Sequence, residues 1–467
     1  MTDVAVAAPH GAAVEAGRAV AAAGGNALDA ALAAAAALTV VYPHQCSLGG
    51  DLIAMVRTAD GRVRAVLSAG AAARQLPTIT SMPTYGPLTV TVPGVVAGWA
   101  AIADLGARLG WTDRLSPAIG LARDGVPVSP GLARALRAEA ARVAADPGLS
   151  ALAGPGPLVQ PVLAGTLAEV AADWTGFYRG PLAERLAAAL SRFGSPLTGA
   201  DLAAHRAELV EPLTGHAFGA AWSAAPPPSQ GASFLAVLGS PDLLNDSLAA
   251  RRARDALLGD PRTGPVDLDG LLRRDGRPAP AESGCSRNPT GDTVAVTAVD
   301  SDGVAVSLIQ SLFHSFGAGL LDPGTGIVLH NRGSMFRLEK DHPGRLTPGS
   351  RPPHTLCPVI AVRDDVVLAL GCQGGRSQPW ILAQVAADAL DGDDPAAVVA
   401  RPRWIIDSAD DGSGPVVVVE PGTPGMAGTV PARHDAAGHV QLARLRGTVL
   451  DAAGDPRADG SGTVQLN

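Results

Sequence analysis

Thr293 to Val299 and Val304 to Leu312 are two runs of alternating side chains on either side of the tight turn Ser301-Asp302-Gly303. Period-two alternation around such a turn predicts a β-hairpin, and its wealth of Val, Ile and Leu predicts a buried one. The first strand starts directly after Gly291-Asp292, so a threonine leads it. Cleavage between Asp292 and Thr293 would leave one residue carrying both a nucleophilic hydroxyl and the free α-amine that deprotonates it. A plain strand opening on a β-branched residue after a turn has the same local sequence. The rest of the chain has to separate the two.

Behind the hairpin come Ser315-Phe316-Gly317-Ala318-Gly319, then Gly324-Thr325-Gly326 running through His330-Asn331-Arg332-Gly333. Pro348-Gly349-Ser350-Arg351-Pro352-Pro353-His354-Thr355 and Gly371-Cys372-Gln373-Gly374-Gly375 follow. Ahead of it stand Gly24-Gly25-Asn26-Ala27-Leu28-Asp29, Gly49-Gly50-Asp51, Val92-Pro93-Gly94-Val95, Asp201-Leu202-Ala203 and Pro227-Pro228-Ser229-Gln230-Gly231. This collinear set resembles the gamma-glutamyltransferase (gamma-glutamyltranspeptidase) family of N-terminal nucleophile hydrolases, over nearly the whole chain. The resemblance implies an α+β fold, the four-layer αββα sandwich of those hydrolases. It also implies a large subunit of residues 1–292 and a small subunit of 293–467, produced by autocleavage at Asp292–Thr293 and staying together.

The chemistry agrees with that division. A threonine hydroxyl alone is a weak nucleophile, whereas an α-amine titrating at roughly 7.7 to 8.0 accepts a proton near neutral pH. Because that amine does not exist before cleavage, the Thr293 hydroxyl must first attack the Asp292 carbonyl. Ser311, eighteen residues on, sits where the family usually has a threonine that orients the nucleophile. Gly374 and Gly375, between a strand and a helix, supply the backbone N–H groups expected to face an oxyanion.

Composition narrows the partners. A net charge of -8 without a basic stripe excludes nucleic acid as the ligand class. The apolar stretch from Ala31 to Val41 is too short to cross a bilayer, and residues 1–10 have neither a basic start nor an apolar signal core, so a cytoplasmic enzyme without a membrane partner is expected. Cys46, Cys285, Cys357 and Cys372 are widely spaced with no Cys-x-x-Cys, which indicates reduced thiols and neither a zinc site nor a disulfide framework. No metal or cofactor is implied. The choice between a monomer and a homodimer stays open.

Along the chain, 11–23 and 26–40 are predicted helices, stopped by Gly24-Gly25 and restarted by Asn26 as N-cap. Leu52 to Arg57 and Val63 to Ser68 form a first hairpin, 95–208 is mainly helical, and helices resume from Ala232 to Leu258. Thr263 to Asp292 is a Gly-, Pro- and Asp-rich loop suited to a processing site. Strands then dominate until a helix near Pro379 to Asp391.

The substrate-binding positions depart from the family. The arginine expected after the second strand is absent from Leu67-Ser68-Ala69-Gly70-Ala71-Ala72-Ala73-Arg74, or displaced to Arg74. Met335 stands where an acid would pair with an α-ammonium, and the twin-serine position is His354-Thr355. Glutamyl specificity is therefore not expected; Asn331, Arg332, His354, Thr355 and Arg376 are the candidate contacts for another small-molecule acyl or anionic group, with surface roles equally open for the charged ones. The short connection from Phe336 to Pro348 leaves little length for a lid, which favours hydrolysis over transfer. Two other functions fit the same residues: a catalytically silent amide-binding relative, and a family member recruited to unusual bond cleavage in secondary metabolism.

Autoproteolysis is directly visible on a denaturing gel: the 46.9 kDa chain is expected as pieces of about 29 and about 18 kDa, in proportion to length. N-terminal sequencing of the smaller piece should begin Thr-Val-Ala-Val. An active preparation that stays one intact chain contradicts the expectation.

Overall fold

A computed structural model describes residues 2–274, 292–408, 414–432 and 435–467. Most of the loop from Thr263 to Asp292, with Gly291 and Cys285, lies outside the described residues. Within its described part the helix Leu268–Arg273 forms where only loop was expected, N-capped by Asp267.

The architecture is mixed α and β. A seven-stranded sheet runs in the order Ser461–Gln465, Val4–Ala8, Asp292–Asp300, Ala305–Phe313, Asp51–Arg57, Val63–Ser68, Glu208–Val210. A six-stranded sheet has the order Val449–Gly454, Val440–Arg446, Val366–Cys372, Val359–Arg363, Ala220–Ala224, Leu213–Ala217. The strand Val4–Ala8, not a helix, opens the fold. Its five small apolar residues are too few for the alternation to stand out, and only its neighbours on both sides make it a strand.

The helices Gly11–Ala22 and Ala27–Val41 form as the sequence predicts. Asn26 starts the second with a capping box: its side chain accepts from the Leu28 and Asp29 N–H groups while Asp29 accepts from the Asn26 N–H. Every residue of that second helix is buried, which explains why it is apolar apart from Asp29 and Thr39. Small residues allow the close approach: a β-carbon on Gly17 would lie 2.9 Å from the Ala30 carbonyl oxygen.

Among the described residues the three largest apolar cores lie in layers. One lies between the sheets, with Ala5, Ile53, Ala295 and Ile309 meeting Ile360, Ala369 and Ala443. The largest packs the amino-terminal helices on the seven-stranded sheet, and a third packs the helix Gln378–Asp391 on the six-stranded one. The sheets are bridged at the hairpin, where Ser307 Oγ donates to the Leu370 carbonyl at 2.9 Å. No described helix is long and apolar enough to cross a membrane.

The seven-stranded sheet interleaves strands from before and after Thr293. Asp292–Asp300 pairs with Val4–Ala8 on one side, and Ala305–Phe313 pairs with Asp51–Arg57 on the other. A cut at 292/293 would leave both pieces in one ladder and one core. Cleaved protein should therefore elute as a single species in native size-exclusion chromatography and separate only in denaturant; spontaneous separation of the pieces would contradict this packing.

Candidate active site

Thr293 is the second residue of the strand Asp292–Asp300 and is 1% exposed. It faces Ser311 across the hairpin, and the ladder shifts register between Asp292 and Thr293. This bulge turns the Asp292 carbonyl toward the partner strand. The Thr293 and Ser311 hydroxyl oxygens are 2.9 Å apart, Ser311 Oγ donates to the Asp292 carbonyl at 2.7 Å, and the Phe313 N–H donates to Ser311 Oγ at 2.8 Å. Ser311 has one proton. Since it goes to the Asp292 carbonyl, the Thr293 hydroxyl must donate to Ser311. The Thr293 hydroxyl and the Asp292 carbonyl thus share one hydroxyl partner.

The strand ends under strain. Phe313 has φ 78 and Phe316 φ 56, left-handed values uncommon for aromatic residues. The twist lays Phe313 under Arg332, whose guanidinium carbon is 3.9 Å from the ring centroid. Arg332 is 1% exposed and donates to Thr355 Oγ1 at 2.9 Å. Arg332 and Thr355 are thereby brought together beside the end of the Thr293 hairpin. Asn331 is bound to backbone at both ends of its amide, accepting from the His314 N–H and donating to the Thr84 carbonyl. Arg376 pairs with Asp255 at 2.9 Å; burial alone would raise that carboxyl, but the Arg254 and Arg376 guanidiniums hold it well below its usual range.

Gly374 and Gly375 follow the strand Val366–Cys372 with φ 142 and 50. A β-carbon on Gly374 would sit 2.5 Å from Ile381 Cδ1, so the turn requires glycine. The Gln230 side chain donates to the Gly375 carbonyl at 2.9 Å and the Thr355 carbonyl at 2.6 Å, and accepts from Arg254. It ties the glycine turn to the Thr355 loop.

The ring nitrogens of His354 are engaged within the protein. Its Nε2 is 3.1 Å from Asp51 Oδ2 and its Nδ1 accepts from the Leu356 N–H. Burial pushes the ring down to about 4 against the opposing pull of Asp51, so it is neutral at pH 7. Asp51 is fully buried, also accepts from the Gly70 N–H, and lies 3.5 Å from His330. One carboxylate thus fixes the loops at 70, 330 and 354. Asp51 and Gln230 belong to the motifs Gly49-Gly50-Asp51 and Pro227-Pro228-Ser229-Gln230-Gly231, which mark the two positions but not what either side chain holds.

Met335, His354, Thr355 and Arg376 line a small cavity of about 30 Å³ that also touches Arg254 and Asp255. Arg74 lies elsewhere, in a cavity of about 290 Å³ with Asp201, Arg206 and Glu208. Among the described residues no group of three or more His, Cys, Asp or Glu side chains could hold a metal.

A profile described as Gamma-glutamyltranspeptidase matches residues 13–464. The chain is 39% identical over 447 residues to an oxamate amidohydrolase proenzyme of Klebsiella pneumoniae, covering 85% of this chain and 84% of that one. It is 34% identical to a glutathione hydrolase-like proenzyme of Bacillus subtilis, covering 86% and 84%. The crystal structure of a cephalosporin acylase from Bacillus halodurans superposes with a TM-score of 0.86 at 30% identity, covering 99% and 96%.

Two outcomes test the geometry. Ser311→Ala should slow self-cleavage by on the order of a hundredfold, the effect of removing one donor from a reacting carbonyl, while Ser311→Thr retains most of the rate. Unchanged processing in the alanine variant contradicts the shared-hydroxyl arrangement. The second concerns Asp292, which is half-buried as a residue while burial pushes its carboxyl up to about 7. The folded precursor then keeps a proton that the unfolded chain loses near pH ~4, so this residue's contribution to stability falls as pH rises from about 4 to about 7 and is flat above. Denaturant unfolding of uncleavable Thr293→Ala should show that slope, and adding Asp292→Asn should remove it; identical pH profiles would contradict the raised value. By its residues, its site and its relatives, this chain belongs to the gamma-glutamyltranspeptidase family.

Proposed function

We propose that the chain is a self-processing amidohydrolase that works through a Thr293 acyl-enzyme on amides of a small, anionic acid. The observation that carries this reading is the Thr293 hydroxyl within hydrogen-bond reach of Ser311, which in turn donates to the Asp292 carbonyl. In processing, Thr293 Oγ1 bonds to the Asp292 carbonyl carbon and the 292/293 C–N bond breaks, giving an ester and a free α-amine. Water then hydrolyses the ester, leaving Asp292 as a carboxylate terminus. The resulting pieces, 1–292 and 293–467, stay interlocked in the sheet; the two sheets with helices outside each support the four-layer arrangement of N-terminal nucleophile hydrolases.

In turnover the α-amine takes the Thr293 hydroxyl proton as the oxygen attacks the substrate carbonyl. The Gly374-Gly375 turn is the source of backbone N–H groups for the oxyanion. The amine returns the proton to the leaving nitrogen, the C–N bond breaks, and water releases the acid from the ester. Retention of the hydroxyl pair and the glycine turn supports an active enzyme over a silent ligand-binding relative.

The acyl side favours a small anion. Arg332 and Thr355 stand together beside the hairpin, and the neighbouring cavity is small. A γ-glutamyl group would add an α-ammonium, for which Met335 offers no charge. The relative that hydrolyses oxamate takes an amide whose acid carries a carboxylate, and we assign this chain the same class. Ammonia release from oxamate should exceed cleavage of a γ-glutamyl anilide in kcat/KM. Arg332→Met should lower the oxamate value by at least about thirtyfold, matching ~2 kcal/mol for one lost charge pair, without stopping self-cleavage. A γ-glutamyl donor preferred over every other acyl group would overturn the substrate class.

A further inference from the structure

Self-cleavage between Asp292 and Thr293 has two steps with opposite needs for water. In the first, Thr293 Oγ1 attacks the Asp292 carbonyl among groups that are almost dry, since Thr293 is 1% and Ser311 3% exposed. The second, hydrolysis of the ester, requires a water at that same carbonyl carbon and a base to take its proton. A cavity of about 210 Å³ has Asp292 in its wall, together with Tyr85, Glu139, His314, Ser315 and Asp435. The carboxyl itself faces this space, because Ser315, Glu139 and Asp435, which act on it electrostatically, are all lining residues. At the ~30 Å³ that one molecule occupies in liquid water, the cavity has room for several. The carboxyl and the carbonyl carbon of Asp292 branch from the same Cα–Cβ bond, so a water held by the former is within reach of the latter.

The other titratable groups around the cavity are engaged or are poor bases. Glu139 pairs with Arg142 at 3.0 Å and Asp435 with Arg134 at 3.3 Å, whereas Asp292 forms no ion pair with a described residue. Burial pushes the His44 and His314 rings down to about 3 and lowers His439, so these imidazoles hold a proton weakly. The Tyr85 phenol is raised by burial and stays neutral. Asp292 differs from all of them. Burial raises its carboxyl to about 7, with Glu139 and Asp435 adding to the effect and Ser315 and Arg142 opposing it. Such a carboxylate is a much stronger base than an ordinary one, which titrates near ~4.

We propose that the Asp292 side chain is the base that activates the water resolving the ester between Asp292 and Thr293. The water oxygen bonds to the Asp292 carbonyl carbon as its proton passes to the Asp292 side chain. The bond from that carbon to Thr293 Oγ1 then breaks and the proton returns to Oγ1, leaving an α-carboxyl group on Asp292 and a free hydroxyl and amine on Thr293. The proposal rests on the self-processing reading above. Its test follows freshly translated full-length chain by timed acid quench and intact mass, with and without hydroxylamine, which splits the ester but not the amide. Asp292→Asn and Asp292→Ala should accumulate full-length chain that hydroxylamine splits, with ester loss slowed about a hundredfold, the usual contribution of a positioned base. Asp292→Glu should retain much of the rate. Ester loss in the wild type should rise with pH through about 7 and lose that step in Asp292→Asn. Ester formation itself needs the folded hairpin, so a labile full-length chain also shows that the variant has folded. Variants that mature at the wild-type rate, as expected if the new α-amine alone serves as base, overturn the role of Asp292; so does full-length variant chain that resists hydroxylamine, which places the defect before the ester. A wild-type chain that never cleaves refutes the self-processing reading as well, and so is told apart from failure of this proposal alone.

Discussion

The hydroxyl of Ser311 is the point through which the site is organised. It accepts from Thr293 and from the Phe313 N–H and donates to the Asp292 carbonyl, so one side chain sets the proposed nucleophile, the bond proposed to be cut and the end of the strand. That arrangement needs a rigid frame. The hairpin supplies it by lying inside the seven-stranded sheet, with neighbours on both sides and apolar cores on both faces. A hydroxyl on an edge strand would have rotamer freedom and water as competing partners; here both are removed by burial.

Around this centre the polar interior acts as scaffolding. Asp51, at the start of the strand beside Ser311, gathers His354, His330 and the Gly70 N–H. Burial alone would raise its carboxyl, but the His330 and His354 rings and the Gly70 N–H outweigh that and hold it below its usual value. Gln230 does the corresponding work between Thr355 and Gly375. Arg332 is then positioned from two sides, by the Phe313 ring and by Thr355. Leaving any of these buried partners unpaired costs about 1–3 kcal/mol or more, so the loops have little freedom to rearrange independently.

Much of this was legible in the sequence, for identifiable reasons. The hairpin, the Asn26 cap and the Gly374-Gly375 turn are local: alternation, a capping residue and a backbone conformation only glycine adopts. The helix Leu268–Arg273 was missed because its Gly-, Pro- and Asp-rich surroundings carry the stronger signal, and Val4–Ala8 because five small residues do not make a pattern. The engagement of His354 with Asp51, and of Asn331 with backbone at 84 and 314, joins residues far apart in the chain. Residue type alone suggested that both face substrate; only the fold shows what their polar atoms already hold.

The central claim is that Thr293 carries the acyl group. Rapid acid quench of the processed protein during turnover of oxamate, followed by intact mass and peptide mapping, tests it most directly. The account predicts an oxalyl ester on the fragment that begins at residue 293, located on Thr293 itself and absent from Thr293→Ala. An adduct on any other side chain, or turnover by Thr293→Ala, would contradict it.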